Sequence, residues 1–224
     1  MSRAWSAVLW LACVACMVPV AKAAPPGDDA KRLHDASVAV YQLDLEQGAP
    51  VLRELAQRYP GDADVQEAVA LLEFYEGHYG DAVIQMTAAA AKASGPTLSQ
   101  RQGWLGIFTA TRDATAGFVE ASSTDGRFRV RHAPGTDAVL VPYALAAMAR
   151  ADAAITDVLG YTHPGPIRLE IYATPADLAK VSSLTVEEIE RTGTIALCKW
   201  DRLMVTSPRA LVRGYPWMDT IGHE

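Results

Sequence analysis

The apolar period changes once along this chain, and that change limits the fold more than any single motif. From Asp28 to about Ala93 the apolar residues recur at helical spacing: Leu33, Val38 and Tyr41, then Val51, Leu52 and Leu55. After the polar stretch ASSTDG they alternate. Phe128, Val130 and His132 in RFRVRHA, then Ile167, Leu169 and Ile171 in IRLEIYA, occupy every second position, which predicts two strands, the first with one solvated face. Between these two runs, PGTDAVLVPYALAAMARADAAITDVLGY predicts a long helix ending at Gly160, with Leu145, Met148, Ala149, Ile155 and Leu159 inward. TPADLAKV opens a short helix, with Thr174 as N-cap and Pro175 at the first helical position. SLTVEEIERTG is short and helical or looped, and TIALCKWDRLMVTSP is a third strand or a hairpin turning at Trp200-Asp201-Arg202. The expected class is α+β: a helical segment over residues 28–121, then strands and helices over 127–224. Ser123 to Gly126 is the expected boundary, and the two parts are expected to fold apart.

The helical segment repeats itself. Tyr41 and Tyr75 lie 34 positions apart, as do Asp28 and Asp62. Each unit has a helix, a break near Gly48 or Gly77, a second helix carrying Ala49 or Ala82, and a stop, which is YPGD in the first unit. Asp28 and Asp29 are placed to cap the first helix. SGPTLSQRQGWLGIFTATRDATAGF predicts another helix from Thr97 or Ser99, as a further layer or a cap. Period and helix–turn–helix plan resemble tetratricopeptide repeats, which implies a protein partner on the repeats. A plain pair of helical hairpins is an equal reading, because an independent stack needs about three units.

The first 23 residues are laid out as a secretory signal peptide. Arg3 precedes an uncharged run from Ala4 to Val20, and Ala21-Lys22-Ala23 supplies small residues at a cleavage site. The apolar run is short for a membrane span, so no stable span is expected after cleavage. Cys13 and Cys16 lack a lipobox, which ranks a lipoprotein lower. Export to a periplasm, cell envelope or extracellular space follows as the expectation. The formal charge of −6 becomes −8 when Arg3 and Lys22 leave, which argues against a nucleic-acid partner. Cys198 then stands alone in GTIALCKW, so neither an intrachain disulfide nor a two-cysteine zinc site is available, and a buried apolar role is expected for it.

The sequence in hand ends on GYPWMDTIGHE. His-Glu opens the His-Glu-x-x-His motif of zinc peptidases. There, two histidines four apart on one helix face the metal, and the intervening Glu takes a proton from metal-bound water. Asp219 or Thr220 is placed to cap a helix here, and Gly222 leaves room for a neighbouring element to pass. With FRVRHAPG, VLGY, PIRLEIYATPADL, TGTIALCKWDRLMVTSP and YPWMDTIGHE, the stretch from Phe128 to Glu224 resembles the first half of a bacterial peptidase MA-like domain, a gluzincin-type metalloprotease. The resemblance implies a zincin-like α+β domain, His223 as a metal ligand, Glu224 as the catalytic base and a peptide or protein substrate. In zincins a strand at the sheet edge lies above the metal helix and pairs with extended substrate. That role falls on IALCKWDRLMVTSP, with an ordinary interior strand as the alternative.

The departure is the missing second His and third ligand. Zinc is implied only where such downstream ligands are present, since a catalytic zinc takes three protein donors. His34, His78, His132 and His163 have no spacing that replaces them. The sequence is therefore expected to be the N-terminal part of a longer frame, inactive as it stands. The competing readings are a non-catalytic exported scaffold with a degenerate peptidase-like domain, and a structural envelope protein.

Overall fold

The structure, a computed structural model, describes residues 24–224, and the signal-peptide expectation for residues 1–23 lies outside them. Five helices come first: α1 (Gly27–Tyr41), α2 (Leu45–Arg58), α3 (Ala63–Glu76), α4 (Tyr79–Ala90) and α5 (Gly95–Thr115). Asp44 caps α2 by accepting from the Gln47 N–H, and Asp62 caps α3 by accepting from the N–H groups of Asp64 and Val65. Gly77, at φ 86°, ends α3 in the left-handed conformation. Asp28 and Asp29 lie inside the first turn of α1 and do not cap it. Asp29 instead accepts from the Tyr59 hydroxyl at 2.7 Å, which fastens the start of α1 to the end of α2.

The 34-residue offset has a physical basis. It relates Ala36 to Ala70, Val40 to Phe74, Gly48 to Ala82, Leu52 to Met86 and Leu55 to Ala89, and both members of each pair are buried. Gly48 is not a break, as its sequence suggested, but lies within α2 against α1. A Cβ there would fall 2.6 Å from Val40 Cγ2 and 2.8 Å from the Ala36 carbonyl oxygen, so glycine is what lets the two helices touch. The turn comes earlier, at Gln42–Asp44, where Leu43 has φ 66°.

A five-stranded mixed sheet follows: β1 (Val119–Ser122), β2 (Phe128–His132), β3 (Ile167–Tyr172), β4 (Ala196–Lys199) and β5 (Arg202–Thr206), in the order β1-β2-β3-β5-β4. β2, β3 and β5 are parallel, and the two edge strands are antiparallel to their neighbours. The long helix α6 (Val141–Leu159) connects β2 to β3, and α7 (Pro175–Lys180) and α8 (Val186–Thr192) lie between β3 and β4. Thr174 caps α7 as expected, and Thr185 with Glu188 forms a capping box on α8. Trp200 and Asp201, both at φ 57°, make the tight turn of the β4–β5 hairpin.

ASSTDG is not a linker. It closes the β1–β2 hairpin, with the Ser123 N–H donating to the Phe128 carbonyl at 2.9 Å, so a boundary at 121–127 cuts through the sheet. The polar turn resembled a linker because VEAS has no run of alternating apolar residues.

The two faces of the sheet are covered differently. Phe128, Val130, Leu169, Ile171 and Val205 pack on Ala144, Ala147 and Met148 of α6, and on Ile221 of the last helix, α9 (Trp217–His223). The opposite face carries Tyr172 and Met204, which join Phe74, Tyr79 and Phe108 of the helical segment in one cluster. Phe74 stacks on Phe108 at 4.4 Å between centroids and meets Trp200 edge-on at 5.5 Å. Each such buried aromatic contributes roughly 1.5–3 kcal/mol. The helical segment and the sheet thus share one core, which corrects the expectation that they fold apart. The arginine-bearing face of β2, expected to be solvated, is so at Arg129, whereas Arg131 lies 5.2 Å from the ring centroid of Tyr79 in α4.

In α6, Met148 is buried and Leu145 half-buried, whereas Ala149, Ile155 and Leu159 are exposed, against expectation. Every residue from Ala153 to Leu159 is exposed, because the sheet and α9 cover only the first half of the helix. By length and composition alone, Thr136–Leu159 would suffice to cross a membrane.

Candidate functional site

Helix α9 starts at Trp217 behind Pro216, so neither Asp219 nor Thr220 caps it. Buried Ile221 fixes the helix to the sheet face. A Cβ at Gly222 would stand 4.0 Å from Ala151 Cβ, so α6 does pass here, at ordinary contact distance. His223 and Glu224 follow, both exposed. Successive helical residues point about 100° apart, and only one of the two faces the neighbouring cleft. Glu224 lines a cavity of about 480 Å³ between α6, α9 and the β4–β5 hairpin, with Met148, Ile155 and Leu203 among its apolar walls. His223 is not in that wall.

Cys198 and Lys199 of β4 line the same cavity. β4 is the antiparallel edge of the sheet, paired only with β5. Cys198 is exposed and not a buried filler, because β4 has no neighbour on its outer side. Partial desolvation, and next the negative charges of Glu224 and Asp201, push its thiol pKa above the ordinary value. The carboxylate of Glu224 is thus close enough to the edge strand for its charge to act there, a proximity that no spacing in the sequence disclosed.

None of the other histidines joins His223. His34 is exposed on α1. His132 is buried, with Nδ1 2.7 Å from the Ala133 carbonyl. His163 holds Asp201 through Nε2 at 3.0 Å, and its Nδ1 lies 3.1 Å from the Gly165 carbonyl oxygen and 3.2 Å from the Gly165 nitrogen, so both ring nitrogens are engaged. Among the described residues one group with metal-binding donors comes together, Glu73, Glu76 and His78 at the end of α3. There Arg53 already binds both oxygens of Glu76 at 2.6 Å. A catalytic zinc takes three protein donors and keeps one open position. With His223 as the lone histidine at α9, the described residues do not fit such an ion.

A buried charge cluster escaped the sequence reading. Glu170 on β3 accepts from Tyr79 of α4 at 2.6 Å, from Tyr172 at 2.5 Å and from Arg131 at 3.0 Å, and Arg202 lies 3.4 Å away. Burial alone would raise the Glu170 pKa. Arg202, the two hydroxyls and Arg131 outweigh burial and hold it below the ordinary carboxylate range. The Arg202 guanidinium also sits 4.9 Å from the Phe74 centroid and 5.0 Å from that of Tyr79. Glu170 and Arg202 each leave 2 % of the side chain exposed, so the cluster serves to join layers and not to meet a substrate.

No family model matches the sequence, and searches of curated proteins and of solved structures find no significant match.

Proposed function

We propose that this chain is an exported peptidase-type protein of the gluzincin kind, in which α9 begins the metal helix and β4 receives an extended peptide. The observation that supports the reading is the meeting of Glu224, at the end of α9, with Cys198 and Lys199 of an antiparallel edge strand around one largely apolar cavity. A free strand edge offers main-chain hydrogen bonds to any extended partner, so recognition there tolerates sequence. Hydrolysis belongs to a form of the protein that carries a second His four positions after His223 and a later acidic ligand, with zinc as its metal. The buried 34-residue correspondence in α1 to α4 supports a tetratricopeptide-like reading of the helical segment, with a protein partner on its outer surface.

A second reading, a non-catalytic exported scaffold, is favoured because the one group of three metal-binding donors among the described residues does not include His223. Both readings keep a peptide on β4, and Cys198 reports on it directly. Alkylation of Cys198 in the chain lacking residues 1–23 should slow severalfold when a short unstructured peptide is present at millimolar concentration. An unchanged rate would mean that β4 receives no peptide, and the reading of this edge would fail.

A further inference from the structure

A second cavity, of about 500 Å³, opens between the helical segment and the sheet. Its walls come from the α1–α2 turn, α2, the end of α3 with His78, β2, β3, the 163–166 turn and Asp201 of the β4–β5 turn, and they include no residue of α9 or β4. Most of its charges are satisfied within the protein. Arg53 is bound to Glu76, Arg168 to Asp201 at 2.7 Å, and His163 to Asp201. Two charges are left. Arg129 and Glu46 both line the cavity, and their side chains make no hydrogen bond or ion pair with another described residue.

Two further observations single out this place. Arg129 stands at the register position opposite Arg168 in the parallel β2–β3 pair, where like charges repel. Asp201 neutralises Arg168 and leaves Arg129 uncompensated. Leu43, also in the wall, is 41 % exposed and has φ 66°. A leucine in the left-handed region is strained, and here two-fifths of its surface is still left open to the cavity and solvent. Leu45, Pro50 and Pro166 extend the apolar surface beside it.

We propose that this cavity binds a short zwitterionic peptide, its carboxylate on Arg129, its ammonium on Glu46 and an apolar side chain on Leu43. A cavity of this volume suits a small ligand. A guanidinium and a carboxylate at its rim read the two termini by charge-assisted hydrogen bonds. The site does not rest on the peptidase reading: it shares Leu43, His163, Pro164, Arg168 and Asp201 with the cavity beside α9, but Arg129 and Glu46 line this cavity alone, so their substitutions separate the two.

The test is calorimetric titration of the full chain with the dipeptide Leu-Leu, its N-acetyl form and its C-terminal amide. The free dipeptide should bind one to one, and each modification should weaken binding about tenfold or more, the scale of one hydrogen bond to a charged group. Arg129→Gln should weaken the free dipeptide to the same extent while leaving the amide unaffected. Glu46→Gln should do the same relative to the N-acetyl form. Leu43→Gly, which relieves the backbone and removes the apolar contact, should keep the fold and weaken all three ligands. Arg112→Gln, on a guanidinium paired with Asp113 in α5, is the control and should change nothing. Absence of binding at several millimolar, or binding indifferent to Arg129→Gln, Glu46→Gln and Leu43→Gly, would overturn the proposal.

Discussion

Tyr79, in the first turn of α4, donates its hydroxyl hydrogen to Glu170 on β3 at 2.6 Å, across 91 positions of sequence. Neither partner touches solvent to any extent, so this bond joins the helical segment to the sheet inside the shared core. Removing the carboxylate would strand Arg202, whose Nε already lacks a partner.

Glu170→Ala should therefore destabilise the protein by about 3–5 kcal/mol, the scale of breaking a buried ion pair from one side. Tyr79→Phe, which removes one hydroxyl and leaves the charges paired, should cost about 1–3 kcal/mol. Urea unfolding followed by circular dichroism and tryptophan fluorescence reads both. The two signals should coincide in one transition, because Trp104 and Trp200 meet across the boundary at 6.2 Å. Separate transitions for helix content and tryptophan environment would contradict a shared core.

His163 gives the stability a pH dependence of known sign. Its hydrogen bond to Asp201, aided by the Gly165 backbone and the Asp201 charge, raises its pKa above the ordinary value against partial burial and the Arg127 charge. A raised folded-state pKa contributes stability that is fully present below the unfolded value of about 6.5 and is lost as pH rises through the folded value. The stability difference between the native chain and His163→Gln should be larger near pH ~5.5 than near pH ~8.5. A difference that stays flat or grows with pH would show that His163 is not held by Asp201.

The cavity beside α9 has its own reporter. Glu224 contributes to the raised thiol pKa of Cys198, second to desolvation. Glu224→Gln should lower that pKa and speed alkylation by iodoacetamide at about pH 8 roughly two- to threefold, since the thiolate is the reacting species. Lys180→Gln, on a residue paired with Asp177, should leave the rate alone. If Glu224→Gln does not change the rate, the end of α9 does not face the edge strand.

Alternation and capping made much of the α+β part legible. Ile167, Leu169 and Ile171 occupy one face of β3 as their spacing indicates, and Thr174 caps α7 where Pro175 follows it. β1 was not legible, because Val119 to Ser122 is short and mostly exposed, with no inward face to leave an apolar pattern. Glu170 and Arg202 were not legible as core residues either, nor was Arg131 as their partly buried partner. A charged side chain reads as solvated until its partner is known, and these partners lie far apart in sequence. The outer half of α6 was assigned inward by its apolar content, although no element covers it. At the candidate site, the motif pointed to His223 and Glu224. The tertiary approach of β4 to Glu224, and the closed hydrogen bonding of His163, depend on the β4–β5 hairpin and have no local signature.

The central claim is that α9 carries the first ligand and the base of a zinc peptidase. The most direct measurement is zinc content by elemental analysis, beside peptide hydrolysis, in a form of the protein that carries a His four positions after His223 and a later Glu. About one zinc per chain is expected, because three protein donors complete the set that a catalytic zinc requires. His223→Ala should lose both metal and hydrolysis, and Glu224→Gln should keep the metal and lose hydrolysis. A protein that purifies without zinc, with hydrolysis indifferent to both substitutions, would contradict the account and leave α9 as a surface helix.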